Sequence, residues 1–208
     1  MNAYKTLATS GEAEFTQQKS RFIGRAAPAA DEAAALAFLA GIRVRCRDAS
    51  HHCYAYIIGQ NAGITRYSDD GEPSGTAGAP ILGVLQAQGV VNAAVVVTRY
   101  FGGVLLGAGG LSRAYARGSA AAVAAAGVAL MQPCRRYLAD IPYPLWDRAA
   151  HALGSFPCVQ EGQNFTDRVT VTLLVRSQDA PGLLALLARV TGGRAEAELV
   201  EEAYAAWA

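Results

Sequence analysis

Apolar residues in this chain follow two periods, and the order of those periods outlines the elements. Ala93-Ala94-Val95-Val96-Val97 is an unbroken apolar run. It predicts a strand over residues 92–98 that is covered on both faces. Residues 19–25 read as a strand with a charged edge, and residues 52–58 as one rich in Tyr and Ile. A helical period over 31–42 predicts a helix with Asp31 as N-cap and Leu36, Leu39 and Ile42 on one stripe. A second helix is expected over 77–88, with Pro80 in its first turn, where a missing N–H costs nothing. A third, over 111–126, is mostly alanine with Gly118 inside, small enough to lie close to a sheet. These segments predict a layered α/β domain.

The pattern changes around residues 131–134, so domains are expected at 1–131 and 132–208. The second part reads as a strand at 137–141, a helix at 144–153, a strand near Cys158, a strand at 168–175, a helix at 180–190 and a strand at 195–201. That βαββαβ order is the ferredoxin-like pattern. The fold class expected is therefore α+β.

Composition narrows the function. Hydrophobic residues make up 52% and charged residues 17%, which supports a sizeable core and excludes a disordered chain. A net charge of +1 excludes a global basic field of the kind that drives tight non-specific nucleic-acid binding. The balance is uneven: residues 1–130 hold 11 Lys/Arg against 8 Asp/Glu, and residues 131–208 hold 7 against 9. A polyanion would meet the first part. No apolar segment suggests an export signal or a bilayer span of ~20 residues, and the scattered cysteines lack a CxxC, so a cytoplasmic protein with free thiols and no membrane association is expected.

Three stretches carry candidate chemistry. In the first, Arg99-Tyr100-Phe101-Gly102-Gly103 leads through Gly107, Gly109 and Gly110 into a helix bearing Arg113 and Arg117. A glycine-rich strand-to-helix turn presents free N–H groups at the positive end of a helix dipole, which suits an anion. Arg99, Tyr100, Gly102, Gly103, Gly107, Gly109, Gly110, Arg113 and Arg117 are thus candidate anion-binding residues. No P-loop lysine follows, and from Gly107 the third glycine of a GxGxxG is Ser112. The glycines could equally serve tight packing.

In the second stretch, Asp69, Asp70 and Glu72 crowd a Gly/Pro-rich turn and could bind a divalent cation through oxygen ligands or act as acid and base; alternatively the loop is solvated, with Ser74 or Thr76 capping the next helix. The third is His51-His52-Cys53, where strand alternation points His51 and Cys53 one way and His52 the other. His51, His52, Asp69, Asp70 and Glu72 are the catalytic candidates. No spacing matches a zinc site or an EF-hand loop, so no specific metal and no cofactor is expected.

Taken together, His51 to Ala55, Ser68-Asp69-Asp70-Gly71-Glu72-Pro73-Ser74-Gly75-Thr76-Ala77-Gly78, Arg99 to Gly103 on through Leu111, and Lys19-Ser20-Arg21-Phe22 resemble the IMPACT (YigZ) family over nearly the whole chain. The resemblance implies a first domain similar to ribosomal protein S5 domain 2 and a ferredoxin-like second domain similar to one in elongation factor G. It implies a translation-associated regulatory protein that engages RNA or a ribosomal surface. In that reading Lys19, Arg21, Arg25, Arg99, Arg113 and Arg117 contact phosphate and Tyr100 and Phe101 offer stacking faces. Small-molecule kinases share the S5-like fold, so an enzyme acting on a phosphate-bearing small molecule or nucleotide is the alternative. Eukaryotic members carry a further N-terminal module that engages an activator of a stress-response kinase, and that partner is not carried over.

Overall fold

The computed structural model describes residues 2–207, which divide into two compact units, residues 4–130 and residues 131–207 together with residues 2 and 3. In the first, β1 (Tyr4–Leu7) is followed by β2 (Gly11–Gln17), β3 (Ser20–Pro28), α1 (Glu32–Arg45), β4 (His51–Ile58), β5 (Ile64–Ser68), α2 (Gly78–Gln88), β6 (Ala93–Tyr100) and α3 (Gly107–Ala126). The main sheet runs β2-β3-β6-β4-β5 with every neighbouring pair antiparallel.

The apolar run of β6 is explained by two cores. Ala93, Val95 and Val97 join Phe22, Cys53, Ala55 and Ile57 under α2 and α3, whereas Ala94 and Val96 belong to the smaller clusters under α1. An alternating pattern would have exposed one face. α3 lies against β3 so closely that a Cβ on Gly24 would collide with the Gly118 carbonyl. That approach is what the small residues of this helix permit.

Asp31 caps α1 by accepting from the Ala34 N–H at 2.7 Å. The buried stripe is Ala35, Leu39 and Ile42, while Leu36 stands 47% exposed. Three further features differ from the sequence reading. β2 was not expected; its Glu12 and Glu14 are matched by Arg25 and Arg21 of β3. α3 starts at Gly107, four residues before the expected start; Gly107 opens it in a left-handed conformation (φ +69°), and Gly109 and Gly110 are helical. Neither Ser74 nor Thr76 caps α2; Asp69 does.

β7 (Val128–Pro142) leads into the second unit, which continues with α4 (Trp146–Gly154), β8 (Cys158–Phe165), β9 (Arg168–Arg176), α5 (Ala180–Thr191) and β10 (Glu196–Ala206). Its strands order as β10-β7-β9-β8, all antiparallel. Tyr137, Ala139, Ile141, Val171, Leu173 and Val175 pack with Leu153, Leu183 and Leu187 of the two helices. This is the ferredoxin-like sandwich, and the protein is α+β. No helix among the described residues is long and apolar enough to cross a membrane.

Candidate functional site

Strand register creates the site. His51 of β4 and Phe22 of β3 both pair with Arg99 of β6, so the three side chains stand abreast on the face beneath α2 and α3. The Arg99 side chain is 5% exposed, and its guanidinium carbon lies 5.5 Å from the Phe22 ring centroid and 5.3 Å from that of Phe101. It donates to Glu72 Oε1 at 2.7 Å and to Ser20 Oγ at 3.2 Å, while its Nε is buried with no partner.

Glu72 reaches this arginine from the β5–α2 loop, which its neighbours hold in shape. Asp69 accepts from the backbone N–H groups of Gly75, Ala77 and Gly78 at 2.8–2.9 Å. Burial tends to raise the Asp69 pKa, but these three donors outweigh it and hold the carboxyl below its ordinary value. Asp70 accepts from the His52 N–H at 2.7 Å and pairs with Arg43. The Asp70 carbonyl meets His51 Nδ1 at 2.9 Å, and the Cys53 thiol donates to the Asp69 carbonyl.

From the other side Tyr115 of α3, fully buried, donates its hydroxyl to Glu72 Oε1 at 2.7 Å. Burial pushes the Cys53 thiol up to about 12 and the Tyr115 hydroxyl well above its ordinary range, so both stay neutral donors. The three stretches therefore interlock around one buried ion pair whose side chains are only 3% and 5% exposed.

Beside the pair opens a cavity of about 350 Å³. His51, Glu72, Arg99 and Phe101 form part of its wall, and Gly107 and Ala108 bring the start of α3 to it. Pro73, Leu105, Leu106 and Leu111 make the remainder apolar. α3 has no side-chain cap, so its first-turn N–H groups face the positive end of a twenty-residue helix without a side-chain acceptor.

The other candidates fall elsewhere. His52 lies on the opposite sheet face against Thr98 Oγ1, and burial lowers its pKa. Tyr100 also turns away, donating to Asp48 and lying under Arg21. Gly102 packs on the chain at Lys19, where a Cβ would collide with the backbone, and Gly103 is exposed with φ +80°. Gly109 and Gly110 form the opening turn of α3. Arg113 and Arg117 are exposed and do not line the cavity; Arg117 lies over the Phe15 ring. Arg21, Arg25 and Arg99 are each paired with a glutamate.

Sequence reasoning missed Tyr115, Ala108 and the leucines. A tyrosine one turn beyond Leu111, on the inward stripe of an alanine helix, was the available signal, because a buried hydroxyl needs a partner. Among the described residues no three His, Cys, Asp or Glu cluster as metal ligands would.

Both parts of the chain match known families. Residues 18–123 match the Impact N-terminal domain and residues 140–194 match DUF1949, a domain of unknown function. The chain belongs to the IMPACT family. It is 46% identical over 117 residues to IMPACT family member YvyE of Bacillus subtilis, covering 56% of this chain and 54% of that one. Against IMPACT family member YigZ of Escherichia coli the identity is 47% over 103 residues, 49% and 50% of the two chains. The chain thus spans about half the length of these two relatives. A solved structure described as a hypothetical protein superposes with a TM-score of 0.61 at 30% identity, over 97% of this chain and 98% of that one.

Proposed function

We propose that this chain is a translation-associated binding protein that holds a phosphate-bearing group of RNA or of a ribosomal surface in the N-terminal cavity. The observation that carries the reading is the uncapped start of α3 at a cavity whose wall includes Arg99. Backbone N–H groups at a helix start suit an anion. The Arg99–Glu72 pair on the same wall is neutral as a unit, so the positive potential comes from the helix start, and the Arg99 guanidinium contributes fixed N–H donors. Phe101, 48% exposed, supplies a stacking face.

Only part of the basic inventory serves this role. With Arg21 and Arg25 neutralised by glutamates, Lys19, Arg113 and Arg117, which lie outside the cavity wall, are the cations left to attract a polyanion to this unit. Affinity for naked RNA is then modest, and a ribosomal surface is the favoured partner. The test is cosedimentation with ribosomes at low and moderate salt, comparing the wild type with Ala108→Asp. The substitution sets a carboxylate in the first turn of α3, which favours the helix while repelling an anion. Cosedimentation that falls with salt and is lost in the variant supports the reading. Equal cosedimentation of the two proteins, or none by the wild type, contradicts it.

A further inference from the structure

The cavity holds acceptors as well as donors. A carbonyl can only accept, so at the 2.9 Å contact with the Asp70 carbonyl His51 Nδ1 carries the proton, which leaves Nε2 as the acceptor of the ring in its neutral form. That Nε2 lies 3.8 Å from Glu72 Oε1, beyond hydrogen-bond length. Arg99 and Tyr115 both donate to Oε1 of Glu72, so Oε2 keeps its accepting capacity. A phosphate alone offers these two acceptors no hydrogen-bond donor. The site therefore calls for a ligand that carries an anion and, close to it, hydroxyl donors.

We infer that the cavity takes a ribonucleotide unit, with its phosphate at the start of α3, its ribose hydroxyls donated to His51 Nε2 and Glu72, and its base against Phe101 and Leu105. The inference rests on the function proposed above and names the chemistry of that same site. About 350 Å³ lies within the range of small-molecule pockets, which begins at roughly 300 Å³. The apolar wall suits a base, and Phe101 and Leu105, at 48% and 84% exposure, leave room for one to stack. The 2′-hydroxyl is the group by which a protein tells RNA from DNA. A site built around a hydroxyl discriminates strongly against the analogue that lacks it.

Isothermal titration of the full chain with ribonucleoside 5′-monophosphates, their 2′-deoxy counterparts and inorganic phosphate tests this. A short single-stranded oligoribonucleotide in parallel distinguishes a free nucleotide from a unit of RNA. The ribonucleotide should bind on the order of tenfold more tightly than the deoxynucleotide, one hydrogen bond's worth. His51→Phe keeps a ring of similar size without the acceptor and should erase that preference while phosphate still binds. Equal affinity for ribo and deoxy forms in the wild type overturns the ribose assignment but leaves the anion site standing. No binding of phosphate or of any nucleotide overturns the site itself. The wild-type ratio needs no variant to fold.

Discussion

Replacing Glu72 with Gln strands a charge. Arg99 would keep its guanidinium in a position 5% exposed, with only Ser20 Oγ and the rings of Phe22 and Phe101 around it. Breaking a buried pair by removing one partner costs about 3–5 kcal/mol. The Gln carbonyl can still accept one bond from Arg99 or Tyr115, and the flanking rings offset part of the charge, so the lower end, about 3 kcal/mol, is expected. For a unit of this size that is a fall of roughly 10 °C in Tm. The double variant Glu72→Gln/Arg99→Met removes the stranded charge and should be about 2 kcal/mol more stable than the sum of the single losses. Urea unfolding followed by far-UV circular dichroism gives the free energies, and amide hydrogen exchange at β6 and α3 assigns the loss to the first unit. A cost below about 1 kcal/mol for Glu72→Gln, or strict additivity in the double variant, would refute Glu72 as the counterion of Arg99.

Asp69→Asn should cost about 1 kcal/mol at neutral pH by weakening the cap on α2. The native carboxyl has a lowered pKa, so its stabilisation is present above the ordinary aspartate range and lost as pH falls through the native value. The gap between wild type and variant, measured by urea unfolding, should therefore close in acid. Gly102→Ala drives a Cβ into the Lys19 backbone and should cost about 1–3 kcal/mol, read as a lower Tm; an unchanged Tm would mean that the loop yields freely. If Lys19, Arg113 and Arg117 are the contacting cations, the association constant for single-stranded RNA should fall with a log–log salt slope of about −2. A slope near zero would exclude them.

What the sequence disclosed follows from how local each signal is. The β6 strand was legible because burial on both faces leaves an unbroken apolar run, and the place of His51 followed from simple alternation once β4 was recognised. The start of α3 was not. Glycine costs roughly 1 kcal/mol per helical position, so Gly107, Gly109 and Gly110 read as a turn, yet the helix they open is anchored by Leu111, Ala114 and Tyr115 in the core. β2 escaped notice because its residues are half polar and its glutamates find arginines only across the hairpin. The carboxylates were singled out as a group in the sequence, but their division of labour depends on loop geometry. Asp69 and Asp70 shape the turn while Glu72, two residues on, enters the core to meet an arginine 27 positions away.

The most direct test of the central claim is a phosphate titration of the isotopically labelled protein followed by amide chemical shifts. Saturable shifts of the Gly107 and Ala108 amides, absent in Ala108→Asp, are the predicted result. Shifts confined to the exposed Arg113 and Arg117, or none in the first turn of α3, would contradict an anion site in this cavity.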